Sequence, residues 1–122
     1  MRSKVYNLRN EAREERKRQV LEAGLVSDRF PGVQSIVVTM NYGRGSFPSL
    51  LRTVNFYPGS PAFFRISCLG DGCDDGGLDL TYVMQRMIRS HEKAAKGELS
   101  CDNKDAAIVH PNVDYQIAIT YA

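Results

Sequence analysis

Leu80, Val83, Met84, Met87, Ile88, His91 and Ala95 recur at the spacing of one helical stripe, and that stripe constrains this chain more than any other feature. It predicts a helix over about 80–96 whose apolar side must be covered. Asp79 is placed to cap its start, since a short acidic side chain accepts hydrogen bonds from unpaired first-turn N–H groups. Gly97 is placed to end it, with Lys93 and Lys96 near the negative end of the helix dipole. Arg86, Arg89, Lys93 and Lys96 would then form the opposite, basic face.

Alternating apolar residues supply the cover. After the turn Phe30-Pro31-Gly32, a strand from Val33 to Tyr42 puts Ile36, Val38, Met40 and Tyr42 on one side. A second strand runs from about Leu51 to Tyr57. Pro58-Gly59-Ser60-Pro61 is a strong turn, and Phe63 to Cys68 is expected to return antiparallel beside the second strand. The last strand is the cleanest, with Val113, Tyr115, Ile117, Ile119 and Tyr121 against Asp114, Gln116, Ala118 and Thr120. Residues 4–23 hold good helix formers and no Gly or Pro until Gly24, with Glu14 and Arg18 placed as an i, i+4 pair. The expected class is α+β with element order α-β-β-β-α-β. One mainly antiparallel four-stranded sheet would carry the second helix on its apolar face. Residues 1–25 read as a basic N-terminal helix or arm and 26–122 as a single α+β domain. The expected core is Ile36, Val38, Met40, Val54, Phe56, Phe64, Ile66, Val83, Met84, Met87, Ile88, Tyr115, Ile117 and Ile119.

A length of 122 residues suits one domain with a real core. The apolar runs are far shorter than a membrane span, and no secretory leader pattern is visible. Three sparsely spaced cysteines do not form a secreted disulfide framework, so a cytoplasmic location with reduced thiols is expected. The formal charge of +2 is unevenly spread. Residues 1–25 hold seven Lys/Arg and four Asp/Glu, whereas residues 26–122 hold nine and ten. The body lacks the concentrated basic footprint of a duplex-binding domain.

Motifs narrow the chemistry. Cys68-x4-Cys73, Cys101 and His110 offer the donor types of a zinc site, although the usual signal is two close ligand pairs. A helix of about 17 residues between Cys73 and Cys101 would separate them by ~25 Å, and the four residues after it recover at most ~14 Å. The expectation is therefore no cofactor, with zinc as an alternative. Asp71, Asp75, Gly76 and Asp79 partly match a calcium loop, but Cys73 and Tyr82 stand where ligands are needed. The glycines of Gly43-Arg44-Gly45 precede a strand, so phosphates there would meet no helix N-terminus. His91, His110 and the cysteines lie in no local catalytic signature, so no catalysis is expected.

The second sheet face is expected to carry Val37, Leu51, Thr53, Asn55, Tyr57, Phe63 and Arg65. Coverage of that face by the first helix or by a second copy is favoured over exposure. The resulting expectation is a non-catalytic binding and interaction domain that self-associates as a homodimer, with Val5, Leu8, Val20, Leu21, Leu51, Tyr57 and Phe63 at the interface. One alternative is a nucleic-acid-binding module using Arg65, Arg86, Arg89, Lys93 and Lys96 with the sheet aromatics. The other is a zinc-binding domain built on Cys68, Cys73, Cys101 and His110.

Overall fold

A computed structural model describes residues 4–42, 50–68, 76–102 and 112–122, with the side chains of residues 4–10 and of residue 12 outside the description. Two helices come first, α1 (Lys4–Ala23) and α2 (Val26–Arg29). The strands β1 (Val33–Asn41), β2 (Leu51–Phe56), β3 (Arg65–Ser67) and β4 (Gly77–Asp79) precede α3 (Thr81–Arg89), and β5 (Ala94–Leu99) and β6 (Val113–Tyr121) follow it. The class is α+β. A four-stranded antiparallel sheet has the order β2-β1-β6-β5, and β3 pairs with β4 in a separate ribbon.

Alternation on the two central strands sets the layers. Ile36, Val38 and Met40 of β1 lie beside Ile119, Ile117 and Tyr115 of β6, and all six are buried. Met84 and Met87 of α3 and Phe64, Ile66 and Leu78 of the ribbon join them in one core. Every residue expected in the core packs in or against that cluster. Arg52 ties the ribbon to the edge of the sheet by donating to the Ser67 carbonyl at 3.2 Å. Gly24, at φ 73°, lets the chain leave α1 in the left-handed region where a side chain is strained. Within α1, Arg18 pairs with Glu15 and Glu22 and Lys17 with Glu14, rather than Arg18 with Glu14 as the i, i+4 spacing suggested.

Besides the short α2 and β4, which the expected order lacked, two elements differ most from the sequence expectation. The helix stops at Arg89, not near Lys96, and residues 94–99 form β5 against β6. His91 adopts φ 55°, the His91 N–H donates to the Ile88 carbonyl and the Glu92 N–H to the Met87 carbonyl. This is the paired hydrogen-bond pattern of a Schellman stop, with histidine in the position usually held by glycine. Gly97 is therefore no helix cap. It lies across from Tyr115, and a Cβ there would sit 2.6 Å from the tyrosine hydroxyl oxygen.

The second difference is β3, which does not return beside β2. The backbone of 58–62 is taken by the chain after α1: Val26 and Ser27 donate to Ser60 and Pro58, Ala62 donates to Gly24, and Leu25 bridges Pro61. The chain is thereby turned out of the sheet plane, and Phe63 and Arg65 do not join the second sheet face. The N-cap position of α3 is held by Leu80, and Asp79, one residue earlier at the end of β4, serves the first turn by accepting the Thr81 N–H at 2.9 Å.

Candidate functional site

Two places in the fold carry unusual chemistry. The first is the sheet face turned away from α3. Pairing register puts its side chains in rows: Asn55, Val37, Ala118 and Ala94, then Thr53, Thr39, Gln116 and Lys96, then Leu51, Asn41, Asp114 and Glu98. Most of these residues are exposed, Leu51 by 66%. A shallow depression of about 440 Å³ opens over Val37, Ala94, Ala118 and Lys96, and it shares Thr39, Lys96 and Gln116 with one of about 780 Å³ beside Leu51.

The first helix does not cover this face. None of the described α1 side chains is buried, and Leu21 is 81% exposed. Arg16 of α1 adds a little to the field that stabilises the Asp102 carboxylate.

The expected interface residues are thus scattered. Leu51 belongs to the open face, and Tyr57, also exposed, follows β2. Phe63 lies outside it and is half-buried. Val20 and Leu21 lie on α1, while the side chains of Val5 and Leu8 are outside the described residues. The basic set is dispersed as well. Arg86 and Arg89 sit on α3, Lys93 in the turn after it, and Lys96 on the open sheet face. Arg86 lies 3.5 Å from the Glu92 carboxylate. Arg65 faces Asp102 instead of a ligand surface. The early end of α3 is what breaks the predicted basic helix face apart.

The second place is the corner where β3, β4 and the exit of β5 meet. Arg65 grips Asp102 through two hydrogen bonds, Nε to Oδ2 at 2.7 Å and Nη2 to Oδ1 at 2.9 Å. The same carboxylate accepts the Gly77 N–H at 3.0 Å, and the Asp102 N–H returns to the Gly77 carbonyl at 2.9 Å. The Arg65 guanidinium holds the Asp102 carboxyl below the usual carboxylate range, and the Asp102 carboxylate raises the arginine in turn. The Arg65 side chain lies against Gly77, within 2.5 Å of where a Cβ would stand, so only glycine leaves room for it.

This clamp fixes Cys101 next to Cys68. Both are buried and pack as a small cluster apart from the main core. They carry thiols and are not joined in a disulfide. Cys68 donates its N–H to the Gly76 carbonyl at 3.1 Å. The premise of a helix of about 17 residues between Cys73 and Cys101 does not hold, because α3 has nine residues and is followed by β5, although Cys73 itself lies outside the described residues. Cys73 and His110 lie outside the described residues, and among the described residues no group of three or more metal-binding side chains occurs.

Near Tyr121 the turn after α3 is closed by its hydroxyl, which donates to the Glu92 carbonyl at 2.7 Å with the Met87 carbonyl at 3.2 Å. Burial raises the Tyr121 hydroxyl above its ordinary pKa, and His91 stacks on its ring at 3.8 Å. Sequence reasoning missed Tyr121 as a positioning residue, since its place in the alternating strand gave no sign of a polar role. No helix among the described residues is long and apolar enough to cross a membrane. No protein family, curated protein or solved structure matches the chain.

Proposed function

We propose that this domain is a non-catalytic interaction module that pairs with a second copy of itself through the open face of the four-stranded sheet. The observation that carries the reading is that face: Val37, Ala94 and Ala118 stand exposed in a shallow concavity that α1 leaves uncovered, and Leu51 is exposed in the one beside it. Antiparallel sheets tolerate one wet face, and single exposed apolar residues are ordinary. A central row of small residues is different, because it lets another sheet approach to the ~10 Å of face-to-face packing without cavities. Lys96 stands one row from Asp114 and Glu98, so the face carries both charge signs and is suited to a two-fold partner that presents the same patch.

The nucleic-acid alternative has less support. Single-strand binders stack bases on aromatic rings, and the described strand residues of this face include no aromatic side chain. Light scattering after size exclusion tests the proposal. The expected species has twice the 13.7 kDa chain mass, and Val37→Glu or Ala118→Arg should return it to one chain with unchanged far-ultraviolet dichroism. A wild-type chain that stays monomeric at ~100 μM would overturn it, since a working interface of this kind holds in the micromolar range or tighter.

A further inference from the structure

We infer that the outer edge of β5 pairs with the β5 edge of a second copy, antiparallel about a two-fold axis at Gly97, so that two sheets run on as one. This surface is distinct from the open face, and the inference stands independently of the face reading. β5 is the last strand in the sheet order, and among the described residues no strand lies beyond it. The other edge strand, β2, has the ribbon tied to it through Arg52 and Ser67. The Ile119 N–H donates to the Lys93 carbonyl, which sets the phase of the β5–β6 ladder. Bonding alternates along an antiparallel pair, and this pair runs from Ala94 to Leu99 without a register shift. Ala95, Gly97 and Leu99 therefore turn their backbone groups toward β6, whereas Ala94, Lys96 and Glu98 turn theirs outward. A row of outward N–H and C=O groups is a template for another strand.

Charge identifies the occupant. Edges are commonly guarded by proline, by a bulge or by a lysine. β5 has no proline and no bulge, and its two charges, Lys96 and Glu98, are exposed on the same side of the strand. Outward groups can bond only to outward groups, so two antiparallel copies choose among alternate registers. With the axis at Gly97, each Lys96 stands opposite Glu98 of the other copy. One bonding step to either side sets Lys96 opposite Lys96 or Glu98 opposite Glu98, and like charges directly opposite destabilise a pair. At the axis the two Gly97 residues meet as a non-bonded pair, the close kind with Cα atoms ~4.5 Å apart, and neither has a side chain in the way. A lysine guard repels most strands, but this register turns it into two attractions. The contact is far smaller than a standard interface, so it forms at higher concentration than the face pair.

Sedimentation equilibrium of the full chain between ~100 μM and ~1 mM reads the edge as a rise in average mass above whatever the face sets at the lower limit. Over the same range, hydrogen exchange at the Lys96 and Glu98 amides should slow as they gain acceptors. The Ala95, Gly97 and Leu99 amides already face β6 and should not change. Lys96→Glu and Glu98→Lys should each weaken the edge contact about tenfold or more, since each sets two like-charged pairs opposite one another. An equimolar mixture of these two variants should recover the rise, because each then faces the opposite charges of the other. The double variant Lys96→Glu, Glu98→Lys should pair as the wild type does. A flat mass in the wild type, with Lys96 and Glu98 exchanging rapidly throughout, overturns the inference without any variant needing to fold. So does a rise that the single charge reversals leave untouched, or a mixture that pairs no better than its components. Failure of the face reading shows separately, as a one-chain mass at the lower limit with the edge still read from the rise above it.

Discussion

Asp102 satisfies three donors with one carboxylate, two from Arg65 and one from the Gly77 backbone. Asp102→Asn keeps the shape but loses the charge and turns one acceptor into a donor facing Arg65. A charge-assisted hydrogen bond contributes ~1.5–3 kcal/mol. The carboxylate is 43% exposed, so solvent screening brings the expected cost down to about 1 kcal/mol. The pH dependence has a definite sign. Because the native carboxyl titrates below its ordinary value, its stabilisation is complete above about pH 4 and disappears as pH falls through the lowered native value. Urea midpoints at pH 7 and pH 3 should therefore fall further for the wild type than for Asp102→Asn. Equal losses would mean that Arg65 does not feel the charge.

At the scale of elements, the end of α3 decides most of the architecture. A left-handed residue at this position is normally glycine, and histidine there costs conformational energy that the stacking on Tyr121 offsets. His91→Val should destabilise by about 1–2 kcal/mol, since a β-branched residue resists positive φ and the stack is lost. His91→Gly should cost clearly less, as measured by thermal or urea unfolding. This stop also marks the limit of what the sequence reveals. Ala95 continues the helical stripe by spacing, and Ala94–Leu99 lacks both alternation and β-branched residues, so periodicity favours a longer helix. The segment becomes a strand because β6 offers it an edge, a tertiary effect that overrides local preference. Strong patterns survived: β1, β2 and β6 were legible from their alternation, and so were Asp79 as an acceptor for the first turn of α3 and Gly24 as a stop. The open face was half legible. Val37, Leu51, Thr53 and Asn55 followed from β1 and β2, whereas Ala94, Lys96 and Glu98 came with the unseen strand. The cysteine corner was illegible for the same reason, since its geometry hangs on where α3 stops.

For the molecule as a whole, the order β2-β1-β6-β5 amounts to two hairpin-like pairs joined along β1 and β6. One pair comes from each half of the chain, and the seam carries the core rows from Val33 and Tyr121 to Met40 and Tyr115. Removing residues 113–122 would leave β5 with no neighbour and β1 with only an edge partner. The expected result is loss of the cooperative urea transition and of most strand signal in the far ultraviolet. A truncated chain that still unfolds cooperatively would show that α3 and the ribbon hold β1 and β2 without the seam. The same seam governs the order of events during synthesis. Asn41 and Asp114 pair across 73 positions, and β6 is translated after every other described element. Contacts of such long range are slow to form because loop closure must come before any reward. While the chain emerges from the ribosome, Ile36, Val38, Met84 and Met87 have no completed sheet to shelter them. Folding should thus wait until β6 has left the ribosome, with the nascent chain open to chaperones and self-association until that strand slides between the two halves.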